Sequence, residues 1–211
     1  MNKWKAILFD FDGVIANTMD DNARAWENAL TKYHIRFNKE EYLINEGFNG
    51  RKVVEHFSTG LAEAPLLDVA AIIQLKEQFY LDDNHFSFYA GVESLLPRLK
   101  KKGYLLGLVT AANQSRLLNT VKREVYAQFD TVVTGDKVTH CKPHPEPYAN
   151  AAKALTVSHG DCLVVENAPL GIASARAAGM YCIAIASTLD KKHLLTADMI
   201  LDKISELEDH V

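Results

Sequence analysis

Asp10 and Asp12 stand two residues apart in the stretch Phe9-Asp-Phe-Asp-Gly13, directly after the apolar run of residues 6–9. Two neighbouring carboxylates repel, so one of them is driven toward its protonated form or a cation sits between them. Either outcome suits catalysis. An ionised Asp10 is a nucleophile, and an Asp12 that exchanges a proton serves first as general acid and then as general base. A lone Asp-x-Asp-Gly is also an ordinary surface turn. The apolar run before it places the pair at the end of a buried strand instead, and a strand continued to residue 12 would project both carboxylates to one side.

Three further places carry chemistry of a matching kind. Thr110 ends another apolar run and is followed by Ala111, Ala112 and Asn113 at a predicted helix start, where a hydroxyl beside free backbone amides holds an anion's oxygens or simply caps the helix. Lys142 lies in His140-Cys-Lys-Pro-His-Pro-Glu-Pro147, where prolines restrict the directions in which its ammonium can reach a phosphoryl group. His140, Cys141 and His144 match no standard metal-ligand spacing and read as solvated loop residues. Glu166 and Asn167 end a further apolar run ahead of Pro169, and their oxygens are hard ligands of the kind Mg²⁺ takes, although Asn167 is also well placed to cap the helix that follows.

Charge decides how these groups combine. Asp10, Asp12 and Glu166 outweigh the single cation Lys142, and a phosphate ester would add about −2 more. A phosphate therefore approaches Asp10 only if a divalent cation accompanies it.

The elements that must position these residues follow from periodicity. Runs at 6–9, 105–109, 131–133 and 163–165 are continuously apolar and end in a polar residue, with further strands at 181–186 and 199–201. Unbroken apolar character marks strands covered on both faces, as in a parallel sheet. Helical patterns at 92–102, 113–125, 147–155 and 170–178 alternate with them. Such βαβ units place ligands at the carboxyl ends of the strands. From residue 17 to about 81 the pattern is helical only, over 21–33, 39–45, 52–57 and 67–80. The predicted architecture is an α/β core of residues 1–15 and 84–211, with a helical domain of residues 16–83 inserted after the first strand and hinged near 16–18 and 82–87.

Composition narrows the class. The 211 residues are 48% hydrophobic and 24% charged, as expected of a folded globular chain. A net charge of −4 gives no footprint for a nucleic-acid backbone. No apolar stretch reaches the length of a membrane span or a signal-peptide core, so a cytoplasmic protein is expected, without membrane contact. The three cysteines form no Cys-x-x-Cys pair and read as reduced thiols. A monomer or weak homodimer is expected.

These residues resemble the haloacid dehalogenase superfamily, in its phosphatase and phosphomutase branch with a helical cap inserted after the first strand. Asp10-Phe-Asp-Gly-Val14 is similar to the first motif of that family, Thr110 to the second, Lys142 to the third and Glu166-Asn167 to the fourth. The stretches Gly91–Gly103, Leu108–Ala112 and Glu166–Met180 also look familial, so the resemblance spans nearly the whole chain. It implies a Rossmann-like core and a Mg²⁺-dependent phosphatase acting on a small phosphorylated metabolite, such as a sugar phosphate. Asp10 would become an aspartyl phosphate, and Asp12 would protonate the leaving oxygen and later activate water. The metal would be held by Asp10, Asp12 through its backbone carbonyl, Glu166 and Asn167. Thr110, Lys142 and the backbone at Ala111 and Asn113 would bind the phosphoryl oxygens. Substrate choice falls to the cap, where Arg51, Asn22 and Lys52 are the candidates to touch the leaving group. Asp12 argues against the phosphonate-cleaving branch. Asn22 stands where sugar-phosphate mutases carry a histidine, which sets a β-phosphoglucomutase-like activity behind hydrolysis. Asn167 stands where many members have a metal-binding aspartate. A receiver-like signalling module shares the aspartate, threonine and lysine chemistry but has no inserted cap.

Overall fold

A computed structural model describes residues 3–211. The chain runs β1 (Ala6–Phe9), α1 (Met19–Lys32), α2 (Lys39–Ile44), α3 (Gly50–Phe57), α4 (Val69–Asp82), α5 (Val92–Lys101), β2 (Leu105–Val109), α6 (Gln114–Thr120), α7 (Arg123–Tyr126), β3 (Thr131–Val133), α8 (Glu146–Ala154), β4 (Cys162–Glu166), α9 (Pro169–Ala177), β5 (Tyr181–Ile185) and β6 (Met199–Leu201). All the strand pairings of the sheet are parallel, in the order β3-β2-β1-β4-β5-β6. The order reverses at β1, between β2 and β4, which opens a crevice beyond the carboxyl ends of those strands.

Each face of the sheet has its own apolar layer. Ile7, Phe9, Leu106, Leu108, Leu163 and Val165 pack with Val92, Leu95, Leu96 and Leu99 of α5 on one side. Ala6, Leu8, Val164, Cys182 and Ala184 pack with Tyr148, Ala151, Ile172 and Ala175 of α8 and α9 on the other. This two-sided burial is why the strands carry no polar alternation. Removing one such side chain, as in Leu99→Ala, costs roughly 2–5 kcal/mol.

Helices α1 to α4 form the insertion between β1 and α5, with an apolar cluster of their own built from Met19, Trp26, Leu30, Tyr42, Val54 and Ile72. Its two connections to the sheet run side by side: Asn17 N donates to Ser87 O at 2.9 Å and Tyr89 N to Ile15 O at 3.1 Å.

One predicted helix is divided. Residues 113–125 form α6 and α7 with Val121 extended between them, at φ −96° and ψ 131°. The Thr120 hydroxyl donates to the Arg116 carbonyl at 2.6 Å, and the break turns both Val121 and Val125 into the core. The β-branched Val121 suits the extended backbone it adopts there, and the Thr120 hydroxyl takes up the Arg116 carbonyl in the last turn of α6.

Candidate active site

Strand register brings the first two acids together. Phe9 pairs with Val165 across β1 and β4, and Asp10 N donates to Val165 O at 2.9 Å, so Asp10 and Glu166 leave adjacent strand ends. Lys142 reaches both, its Nζ donating to Asp10 Oδ1 and to Glu166 Oε1, each at 2.6 Å. All three side chains are buried. The loop that carries Lys142 is fixed by Glu146, whose carboxylate accepts from the backbone N–H of Thr139 at 2.7 Å and of His140 at 3.0 Å. His140 and His144 stand exposed on the outer side of that loop.

Glu166 meets donors at both oxygens. Its Oε1 also accepts from Tyr148 Oη at 2.6 Å, and its Oε2 from the backbone N–H of Asn167 at 2.9 Å and of Ala168 at 3.3 Å. Gly171 leaves it room, since a Cβ there would lie 1.8 Å from Glu166 Oε1. Asp10 is different: its Oδ2 is buried without a partner. Burial pushes the Asp10 carboxyl up to about 8, with Lys142 opposing and Glu166 adding to the shift. The same carboxylates hold the Lys142 ammonium above its usual range against its burial.

Asp12 does not share this cluster. The strand ends at Phe9, and the backbone beyond it folds into a tight turn in which Phe11 O accepts from Ile15 N and Ala16 N. The Asp12 carboxylate turns toward the insertion. Its Oδ1 accepts from Thr18 Oγ1 at 2.5 Å and Asn22 Nδ2 at 3.0 Å, and its Oδ2 from Arg116 at 2.5 Å. Arg116 also donates to Asn22 Oδ1, which takes a second bond from Lys76 Nζ at 2.8 Å. A cavity of about 260 Å³ opens on this network between insertion and sheet domain, with Asp12, Asn22, Lys76 and Arg116 in its wall.

The other expected residues divide. Thr110 is buried, and its Oγ1 accepts from Ala112 N at 3.0 Å; the cap of α6 is Asn113, whose Oδ1 accepts from Arg116 N at 2.7 Å. Ala111, Asn113 and Arg51 line the cavity. Lys52 does not: it pairs with Glu55 at 3.4 Å on exposed helix surface, one turn along α3. Asn167 is not the cap of α9, since the cap position is Ala168; its Nδ2 donates to Thr188 Oγ1 at 3.0 Å, and its Oδ1 is buried without a partner. Arg116, Lys76, Glu46 and Tyr148 were not singled out by sequence. Lys76 had a signal, because Ile72 and Tyr80 four residues either side of it are buried and it shares their helix face.

The unpartnered oxygens of Asp10 and Asn167 are buried hard donors, and a group of Asp10, Glu46 and Glu166 oxygens lies within 4.8 Å of one another. These residues fit Mg²⁺.

The family model for haloacid dehalogenase-like hydrolases matches residues 7–185. Validoxylamine A 7'-phosphate phosphatase of Streptomyces hygroscopicus subsp. limoneus is 27% identical over 97% of this chain and 96% of its own. Pyrophosphatase PpaX of Bacillus mycoides is 31% identical, over 97% of this chain and 95% of its own. Among solved structures, a putative β-phosphoglucomutase from Bacteroides vulgatus superposes with a TM-score of 0.85 at 26% identity, covering 99% of this chain and 87% of that one. Motifs, sheet order and these likenesses agree: the chain belongs to the haloacid dehalogenase-like hydrolases, in their phosphatase and β-phosphoglucomutase-like branch.

Proposed function

We propose that this enzyme hydrolyses a small phosphate ester, with a sugar phosphate the best-supported class, through phosphorylation of Asp10, and that it depends on Mg²⁺. The observation that carries the reading is Lys142 Nζ at 2.6 Å from both Asp10 and Glu166 while Asp10 Oδ2 has no partner: a fixed cation beside a buried carboxylate whose second oxygen no protein group occupies. Attack by an Asp10 oxygen forms a bond to phosphorus as the ester P–O bond breaks, and Asp12 supplies the proton to the departing oxygen. Water then attacks the same phosphorus, giving its proton to Asp12 and returning the Asp10 carboxylate. Lys142, Thr110 and the amides near Ala111 hold the phosphoryl oxygens where negative charge develops. Glu166 holds Lys142 in place.

Asp10, the Asn167 amide oxygen and the acidic cluster would hold the metal, which when bound neutralises charge on the phosphoryl oxygens. The cavity between insertion and sheet is the place for the leaving group, with Arg51 and Asn22 in its wall. Its mixture of amide, carboxylate and cationic groups suits a polyhydroxylated compound, and relatives that act on a validoxylamine phosphate or are described as a β-phosphoglucomutase agree with that class.

Phosphate release from a panel of phosphorylated metabolites, with Mg²⁺ and with a chelator, tests the reading. Wild type is expected to turn over only with the metal, and Asp10→Asn to fall to background in both. Transfer of the phosphoryl group to a sugar phosphate faster than to water would move the assignment to the phosphomutase reading that the Bacteroides likeness supports.

A further inference from the structure

Glu46 stands in the joint between α2 and α3, on the insertion, yet its side chain is buried at the strand ends of the sheet domain. It is 7% exposed, its Oε2 has no hydrogen-bond partner, and a carboxylate oxygen of it lies within 4.8 Å of carboxylate oxygens of Asp10 and Glu166. The joint is pressed onto the site: Gly47, at φ +107°, lies where a Cβ would meet Lys142 Cδ at 3.0 Å and Cβ at 3.1 Å. A side chain larger than hydrogen would push the joint, and Glu46 with it, away from Lys142.

Charge shows what this arrangement lacks. Asp10, Glu46 and Glu166 bring three negative charges when ionised and Lys142 one positive, leaving −2 in a buried pocket, while Asp12 is matched separately by Arg116. Burying such an excess is prohibitive unless a cation or protons cancel it. A single divalent ion closes the sum. Ligand oxygens of an octahedral Mg²⁺ stand about 3 Å apart when adjacent and about 4.2 Å when opposite, and oxygens of the three carboxylates lie within 4.8 Å of one another. Asn167, at the fourth motif, contributes an oxygen but no charge.

We propose that Glu46 belongs to the ligand set of the divalent cation, contributed by the insertion, and supplies the negative charge that the neutral Asn167 does not. The inference rests on the metal-dependent phosphatase reading and extends it: the ion would then join the insertion to the sheet domain, so that cation binding and closure of the cavity are one event. Metal release would loosen the joint at Gly47, and opening of the insertion would weaken the hold on the metal.

Titration calorimetry of the full-length chain with Mg²⁺, and with Mn²⁺ as a second probe, tests this without reference to turnover. Glu46→Gln is expected to weaken binding by about tenfold or more. Asn167→Asp should tighten it, and in the Asn167→Asp background the loss on adding Glu46→Gln should shrink. Thermal melting guards against a merely structural effect: removing one of several buried like charges should leave the metal-free Tm equal to or above wild type, and reduce the rise in Tm that metal brings. Unchanged affinity in Glu46→Gln overturns the inference, as does a lowered metal-free Tm with affinity intact. If wild type still turns over only with metal while Glu46→Gln binds it normally, the inference alone fails. A wild type that binds no divalent ion overturns both it and the metal-dependent reading.

Discussion

Lys76 illustrates what a buried charge does when its partners are chosen for it by a site. Burial, reinforced by Arg116, lowers its ammonium to about 8 from an ordinary 10.5, although Glu77 at 3.2 Å works in the other direction. The sign of the consequence is set by linkage. Between those two values the unfolded chain binds a proton that the folded chain has released, so this residue makes stability rise with pH across that window and contributes no further change above it. Urea denaturation at a series of pH values should therefore show wild type gaining on Lys76→Met from about pH 8 to 10.5; parallel curves would contradict the assignment. Among single residues, the burial of Asp10, Thr110, Glu166 and Asn167 at strand ends and of Lys142 beside them was legible, because each closes or follows an apolar run or sits in a proline-stiffened loop. The partners of Asp12 were not legible. Arg116 reaches it across 104 positions of sequence, from a helix whose local pattern gives no sign of an arginine turned inward.

The elements explain why those partners matter. Arg116 belongs to α6 of the sheet domain, Asn22 to α1 and Lys76 to α4 of the insertion, and Thr18 stands at the connection between the two. Their bonds converge on Asp12 and on the Asn22 amide, so one buried network spans the boundary between insertion and sheet domain. Arg116→Met would leave the 6% exposed Asp12 carboxylate without its guanidinium, a loss on the order of 3–5 kcal/mol for a broken buried pair. Denaturant unfolding should show that loss, and limited proteolysis should cut faster near the connections at Thr18 and Ser87. A loss under 1 kcal/mol with unchanged proteolysis would mean that the network holds nothing together. Strand positions followed from sequence almost residue by residue, since an apolar run closed by a polar residue is, in an alternating α/β chain, the mark of a strand buried on both faces. The division between α6 and α7 did not, because apolar positions at 117, 121 and 125 keep helical spacing even though the backbone between them is extended.

Taken as one molecule, the chain sets a sheet domain that carries Asp10, Thr110 and Lys142 beside a helical insertion with its own apolar core, and the cavity lies between them. The sheet order, with its reversal at β1, supplies the reason that the first and fourth motifs meet although 156 positions separate Asp10 from Glu166. This much was readable from motif order. Which compound fills the cavity was not, because its wall is assembled from α1, α2, α3, α4, α6, the joint before α3 and the loops after β1, β2 and β3, whose relative placement only the packed structure gives. The chemistry proposed for the whole assembly reduces to one covalent event, transfer of the phosphoryl group to Asp10. Rapid acid quench of wild type mixed with Mg²⁺ and a substrate found in the metabolite panel, followed by mass spectrometry of the peptide containing Asp10, observes that event directly. A transient phosphoryl group on Asp10 that forms and decays at rates consistent with turnover is the predicted result; turnover with no such species, together with undiminished activity in Asp10→Asn, would contradict it.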